Sequence, residues 1–158
     1  MTVLELIPQY LTYIARAYEQ EPGKCQPQTF ETAHALSCMR VCMILADKRR
    51  LDTTIAGTIG LIHDIGRIAT GSNQEHAEKG VEPARRFLAA WGYTKQAEST
   101  IVAAVANHSR KHYRDDAFSE LIKDADVFDS AYYGMIKQER AYADRLQQVR
   151  RELGLAAL

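Results

Sequence analysis

The sequence lacks an excess of charge of either sign, and it lacks a long apolar run. Its 158 residues contain 20 lysines and arginines against 20 aspartates and glutamates. A formal net charge of zero supplies no field that would attract nucleic acid or an anionic membrane, so we expect neither as a partner. No apolar stretch approaches the roughly 20 residues of a membrane span. This composition favours a small molecule, recognised by local contacts, as the partner.

Cysteine is also scarce. The three cysteines are an odd number without the spacing of a disulfide framework, which is typical of a reducing compartment. The first ten residues have neither the basic segment nor the apolar core of a signal peptide. We therefore expect a cytoplasmic protein. With 46% hydrophobic residues, residues 1–158 can bury one core without disulfides, which predicts a single domain.

The pattern that dominates the sequence is helical. Apolar residues recur at intervals of three and four in nearly every segment, and no alternation long enough for a strand is found. The spacing predicts an all-α, single-domain helical bundle, a class in which ligand sites form between facing helices. The predicted helices cover about residues 3–18, 30–46, 53–62, 74–91, 97–108, 117–135 and 137–153.

Six polar residues stand out because they lie in otherwise apolar helical segments. The clearest are the adjacent His63 and Asp64, which end an apolar run. Burying such a pair is costly unless a metal ion or a tight hydrogen-bond network compensates it. Four imidazoles and two carboxylates suit one or two divalent ions of iron, manganese, nickel, cobalt or zinc. The six candidate ligands are His34, His63, Asp64, His76, His108 and Asp126.

These residues resemble the H…HD…D signature of the HD-domain superfamily of metal-dependent phosphohydrolases. The resemblance spans about residues 29–133, with a further helix at 137–153. Residues 63–67 are similar to the HDIGK form common in the superfamily, with Arg67 in place of the lysine. The segments 76–80 and 106–109 resemble the two further histidine segments of binuclear members. The resemblance implies a bundle of the HD-domain type.

The resemblance also implies a role for each candidate ligand. A first ion would be held by His34, His63, Asp64 and Asp126. A second would be completed by His76 and His108, with Asp64 bridging the two. Two ions about 3.5–4 Å apart can hold a hydroxide and a phosphoryl oxygen. The implied function is hydrolysis of a phosphomonoester or phosphodiester, nucleotides included, by a metal-bound hydroxide.

Asp64 and Arg67 are the predicted catalytic residues. Basic residues beside the candidate ligands would neutralise the charge of a substrate phosphate. This role is predicted for Arg67, Lys79, Arg110 and Lys111.

Nearby residues leave alternatives open. Asp124 competes with Asp126 for the ligand position, and the family pattern favours Asp126. Asp124 is then expected on a helix surface, and Asp129 beside a ligand. His112 lies four residues after His108, but in a polar loop.

Other side chains have competing interpretations too. Cys38 and Cys42 share a helix face with His34, which permits a zinc thiolate site, although small buried cysteines are the commoner case. Arg145 is expected on the solvated face of the last helix, together with the other arginines of that helix.

Two further functions are compatible with the same ligands. One is a diiron oxygenase of the HD type, because histidine and carboxylate ligands suit redox-active iron. The other is a module that binds a nucleotide without turning it over. A homodimer is expected from the frequency of twofold assemblies alone.

Overall fold

A computed structural model describes residues 2–21 and 23–156 of the chain. These residues form helices joined by short loops, and no strand occurs among them, so the predicted all-α class is confirmed. In chain order the helices are α1 (Val3–Gln20), α2 (Gln28–Arg49), α3 (Thr53–Ile62), α4 (Ile65–Thr70), α5 (His76–Lys79), α6 (Val81–Leu88), α7 (Lys95–Asn107), α8 (Ala117–Tyr132) and α9 (Arg140–Glu152).

The helix α3 lies in the core of the bundle. Every residue from 56 to 62 is buried, and the helix packs chiefly against α2. Asp52 caps its first turn, because the carboxylate accepts hydrogen bonds from the backbone N–H groups of Thr54 and Ile55 at 2.8 and 2.9 Å. The helix begins at Thr53, as the sequence predicts, and His63 directly follows its last residue.

Gly60 allows the backbones of α2 and α3 to pack closely together. A Cβ atom at Gly60 would lie 2.6 Å from the backbone oxygen of Cys38, closer than side chains tolerate. The two backbones therefore touch one turn before His63. This contact brings the end of α3 against the segment of α2 that carries His34.

The prediction of one continuous helix over residues 74–91 is wrong. The segment is divided into α5, α6 and a 3₁₀ turn over Ala89–Trp91. Pro83 explains the first break, since it has no N–H to offer the carbonyl of Lys79 and suits the first turn of a new helix. Gly92 ends the last turn with a φ of 63°, as predicted.

Further boundaries differ from the predicted ones. The short helix α4 follows directly after Asp64, where the sequence predicts a helix end and a loop. The helix α8 ends at Tyr132, earlier than predicted, and α9 begins at Arg140. None of the helices in the described residues combines the length and apolar character needed to cross a bilayer.

Two predicted surface residues are buried. Arg145 is 7% exposed and Asp124 is 2% exposed. Their side chains form an ion pair at 2.7 Å, and Asp124 also accepts from Arg49 at 2.8 Å. The predicted solvated position of Arg145 and surface position of Asp124 are therefore wrong. The reason is that each charge has its partner on another helix, which the spacing within one helix does not reveal.

Candidate metal centre

The structure brings the six candidate ligands together at one buried point. Each comes from a helix or from a residue at a helix end. His34 and Asp126 lie within α2 and α8, whereas the other four lie at the ends of α3, α4, α5 and α7. Helix ends suit this task because the chain can turn there and direct a side chain into the core. The four candidate ligands at helix ends are His63, Asp64, His76 and His108.

Four of these side chains form a first cluster. His34 Nε2 lies 3.1 Å from His63 Nε2 and 3.3 Å from Asp126 Oδ1. Asp64 Oδ2 lies 3.3 Å from His34 Nε2 and 3.2 Å from His63 Nε2. Two nitrogens and two oxygens therefore face a common point.

The other carboxylate oxygen of Asp64 belongs to a second cluster. Asp64 Oδ1 lies 3.3 Å from the Nε2 atoms of both His76 and His108. These two nitrogens are 2.9 Å apart. Asp64 thus contributes one oxygen to each cluster, as expected of a residue that bridges two ions.

The spacing of these atoms fits a divalent ion. Nitrogen and oxygen ligands bind such ions at about 2.0–2.2 Å, so neighbouring ligand atoms should be roughly 2.8–3.5 Å apart. The distances within both clusters run from 2.9 to 3.3 Å.

The outer nitrogens of three histidines explain why the inner ones can act as ligands. In each, Nδ1 lies 2.7–2.9 Å from the backbone carbonyl of the residue three positions earlier. A carbonyl only accepts, so Nδ1 carries the proton, and in the neutral ring Nε2 keeps its lone pair. These three histidines are His63, His76 and His108.

His34 is oriented by a carboxylate instead. Its Nδ1 lies 2.6 Å from Asp129 Oδ2, and Asp129 is itself only 3% exposed. Asp129 therefore holds the ring of a candidate ligand, the position that the sequence predicts for it. Carboxylate–histidine pairs of this kind raise the basicity of metal-binding imidazoles.

One oxygen of Asp64 is suited to a metal cation. Its Oδ1 is buried and has no hydrogen-bond partner within residues 2–21 and 23–156. Burial alone would raise the pKa of Asp64, but His63 and Arg67 lower it well below its usual value, so the group is a carboxylate. A buried, unpaired carboxylate oxygen is costly without a compensating positive charge. The residues present therefore fit a metal ion.

The electrostatics of two other ligands agree with this assignment. Burial lowers the pKa of His108 to about 4, which leaves the ring neutral at pH 7. Burial opposes ionisation of Asp126, but Lys111 together with His34 and His63 lowers its pKa well below the usual value. A neutral imidazole and an ionised carboxylate are the forms that bind metals.

Cys38 lies beside the first cluster but is a weaker candidate. Its sulfur is 3.6 Å from His34 Nδ1 and 3.8 Å from Nε2, within reach of a common ion. Burial raises the pKa of the Cys38 thiol to about 12 and raises that of Cys42 well above its usual value. Both are buried core residues, which favours the interpretation without a zinc thiolate.

Arg67 lies next to the bridging carboxylate. Its Nη2 is 2.5 Å from Asp64 Oδ2, and its guanidinium forms a two-pronged contact with Glu31, at 2.7 and 2.8 Å. Glu31 is missing from the residues that the sequence singles out. The available signal was its position one turn before His34, on the same face of α2.

The other predicted phosphate contacts divide into two groups. Lys111 is buried at the centre, where its Nζ lies 2.5 Å from Asp126 Oδ2. Lys79 and Arg110 are at the surface, and they pair with Glu75 and Asp115 at 3.3 Å. Contacts of all four basic residues with a phosphate stay predictions.

His112 lies outside the clusters. Its side chain is 59% exposed and pairs with Glu139 at 2.7 Å. The preference for His108 over His112 therefore agrees with the geometry.

The centre has one open side, which we define by His76 and Asp126. Their side chains are 17% and 18% exposed, whereas those of the other candidate ligands are 7% exposed or less. These two side chains are therefore the most accessible of the six candidate ligands.

Gly66 allows the second cluster to form. A Cβ atom at this position would lie 2.0 Å from the backbone oxygen of His76 and 2.6 Å from the nitrogen of Gly80. The first turn of α4 thus packs directly on the backbone of α5. Any larger residue would displace the segment that carries His76.

Comparison with known proteins identifies the family of the chain. The family model described as the HD domain matches residues 32–131, well over half of the chain. The chain belongs to the HD-domain family, and its buried cluster of histidines and aspartates is consistent with a metal site.

The chain is similar to several larger proteins of this family. It is 30% identical to Ribonuclease Y of Deinococcus radiodurans over 118 residues, which cover 73% of this chain and 19% of that protein. It is 28% identical to Ribonuclease Y of Thermus thermophilus over 120 residues, which cover 75% and 20%. The chain therefore spans about a fifth of the length of these relatives.

A solved structure shares the fold over almost the whole chain. It is the crystal structure of a predicted HD superfamily hydrolase from an uncultured Thermotogales bacterium. The TM-score is 0.62 at 20% identity, and the match covers 98% of this chain and 96% of the other. The predicted bundle of the HD-domain type is thus confirmed.

Proposed function

We propose that this protein is a metal-dependent phosphohydrolase that cleaves a phosphomonoester or a phosphodiester. The observation that carries the proposal is the position of Asp64, whose two oxygens face two separate groups of imidazole Nε2 atoms at 3.2–3.3 Å. A bridging carboxylate between two histidine clusters is the arrangement needed for a binuclear centre.

The residues divide between two divalent ions of the iron, manganese, nickel, cobalt or zinc type. The first would be held by His34, His63, Asp64 and Asp126, and the second by His76, His108 and Asp64. When bound, such ions supply a water of lowered pKa and Lewis-acid stabilisation of phosphoryl oxygens.

The surrounding side chains orient the ligands and bind the phosphate. Glu31 and Asp64 engage Nε and Nη2 of Arg67, and we assign Nη1 to a phosphoryl oxygen of the substrate. Lys111 holds Asp126. Lys79 and Arg110, whose side chains are 41% and 44% exposed, would attract an anionic substrate without being part of the buried centre.

The substrate class is a small phosphoester, with nucleotides included. The relatives named Ribonuclease Y act on RNA, as their name states. RNA also contains phosphodiesters, but the net charge of zero in this chain argues against a nucleic acid partner. A short RNA oligonucleotide therefore belongs among the tested substrates, with no cleavage expected.

Metal analysis tests the centre. We expect about two ions per chain in the wild type, about one in His76→Ala and none in His63→Ala. His112→Ala is the matched control, because this histidine lies outside both clusters, and it should keep two ions. A wild type that takes up no metal under any loading condition would contradict the proposal.

Hydrolysis tests the activity. Protein loaded with manganese, iron, nickel or cobalt should release phosphate from an aryl phosphate or a nucleotide, and His63→Ala should not. If the fully metal-loaded protein hydrolyses none of these substrates, the proposal of a phosphohydrolase is wrong. Oxygen consumption by the iron-loaded form would then favour the oxygenase, and a nucleotide-induced thermal shift without product would favour the binding module.

A further inference from the structure

An aromatic ring covers one candidate metal ligand. Phe30 lies one turn before His34 on α2, and the two rings stack with their centroids 5.4 Å apart and their planes 12° apart. The guanidinium carbon of Arg67 lies 5.9 Å from the centre of the Phe30 ring. The charged group assigned to the phosphate and the face of an apolar ring are therefore neighbours.

A second ring extends this surface outwards. Tyr133 packs against Phe30, with centroids 5.4 Å apart and planes at 72°. Tyr133 is 44% exposed. An exposed aromatic ring at the edge of a catalytic centre can stack with a planar group without first leaving a packed core.

One face of α8 leads from the open side of the centre to Tyr133. Asp126, Ser130 and Tyr133 are spaced by four and three residues, which places them on the same side of the helix axis. Ser130 Oγ lies 3.3 Å from Asp126 Oδ1. A molecule whose phosphate sits at the open side can therefore extend along this face towards the two rings.

We propose that Phe30 and Tyr133 are specificity-determining residues that select a planar aromatic ring in the leaving group of the phosphoester. This inference rests on the proposed function and deepens it by naming the chemistry of the organic part of the substrate. A ring of about the size of a phenyl group or a nucleobase stacks on Tyr133 while its phosphate reaches the two clusters. An alkyl phosphate or a sugar phosphate makes no such contact.

Tyr132 provides a matched control. It is the neighbouring tyrosine and is 68% exposed, but it packs against Phe128, with centroids 5.2 Å apart, instead of against Phe30. Removal of Tyr132 deletes the same chemical group from the same helix end. Its loss should leave the proposed ring contact unchanged.

A binding experiment tests the ring contact independently of turnover. The probes are phenylphosphonate and methylphosphonate, two non-hydrolysable ligands that differ by a ring, titrated calorimetrically into manganese-loaded protein. Wild type should bind phenylphosphonate roughly 2- to 12-fold more tightly, the range expected of one aromatic pair. Tyr133→Ala and Phe30→Leu should lose this preference, whereas Tyr132→Ala should keep it.

Kinetics provide the second measurement. Adenosine 5′-monophosphate and ribose 5-phosphate form a matched pair that differs by the base. Tyr133→Ala should raise KM for the nucleotide with little change in kcat, and should leave both constants for the sugar phosphate unchanged. Metal content is measured for every variant, so that a Phe30→Leu protein with a disturbed His34 is recognised.

Two results would overturn the inference. One is equal affinity of the wild type for the two phosphonates. The other is an equal loss for both ligands in Tyr133→Ala at full metal content, which would show that the ring has only a structural role. Failure of the proposed function is a different outcome, because the protein would then hydrolyse neither phosphate while the phosphonate preference could still be measured.

Discussion

The ammonium group of Lys111 lies 2.5 Å from Asp126 Oδ2 and 2.6 Å from the backbone oxygen of His108. The lysine side chain is only 3% exposed. It therefore occupies one oxygen of a candidate ligand and leaves the other, Oδ1, facing His34 at 3.3 Å. The contacts with Asp126 and His108 connect Lys111 to both clusters.

This contact predicts a loss of metal affinity in Lys111→Met. Methionine keeps much of the length but removes the charge, so Asp126 is no longer held in one orientation. Loss of such a partner of a ligand typically costs about 10- to 100-fold in metal affinity. Competition with a chelator measures the effect. Lys79→Met is the control, since its side chain is 41% exposed, and equal affinity in both variants would contradict the assigned role of Lys111.

The packing of Gly66 predicts a selective defect. In Gly66→Ala the new methyl group collides with the backbone of His76 and Gly80, which should lower the free energy of unfolding by about 1–3 kcal/mol. The second ion should be lost before the first, because His76 moves. Denaturant titration and metal analysis check both effects. Gly23→Ala is the control, since nothing lies within 4 Å of its added Cβ; a similar result in both variants would refute the packing argument.

The buried ion pair of Asp124 predicts a large effect on stability. Asp124→Ala removes the carboxylate that pairs with Arg145 and Arg49, so that Arg145, which is 7% exposed, keeps only Glu120 as a carboxylate partner. Removal of one member of a buried pair costs about 3–5 kcal/mol. Denaturant titration of the unfolding equilibrium measures this cost. Asp144→Ala removes an exposed carboxylate from α9 and should cost less than about 1 kcal/mol. Equal stability of the two variants would contradict a buried network.

Much of the centre is predictable because its residues violate the local pattern. His63 and Asp64 follow the apolar run of residues 59–62, and Asp52 offers an N-cap at the right distance before this helix. Polar groups in such positions need compensation, so the sequence alone indicates that they meet other polar groups. The all-α class follows in the same way from helical spacing.

The parts that escape prediction depend on contacts between helices. Arg145 has the sequence surroundings of a surface residue, and its burial is explained by the carboxylates of Asp124 and Glu120 on α8, with which it pairs. Glu31 is one acid among twenty acidic residues until the fold places it against Arg67. The division of the predicted 74–91 helix is local by contrast, and Gly80 and Pro83 together provided the signal for it.

The ion pair between Glu31 and Arg67 predicts that a lysine at position 67 will not support the activity that Arg67 supports. Lysine restores the HDIGK form, but its ammonium lacks the two separate, rigidly spaced nitrogens with which the guanidinium contacts both Glu31 oxygens and Asp64. Loss of one charge-assisted hydrogen bond predicts a decrease in kcat/KM of about 10- to 100-fold for Arg67→Lys.

A double-mutant cycle with Glu31→Ala isolates the contribution of this contact. If Glu31 holds the guanidinium in place, Arg67→Lys should lower kcat/KM by a smaller factor in the Glu31→Ala background than in the wild type, because the contact between the two side chains is already absent. Arg85→Lys is the control, since Arg85 is 48% exposed and pairs at the surface with Glu98 at 3.1 Å. If the two substitutions lower kcat/KM by strictly additive free energies, Arg67 acts without Glu31. If Arg67→Lys keeps the kcat/KM of the wild type, a point charge beside Asp64 is sufficient.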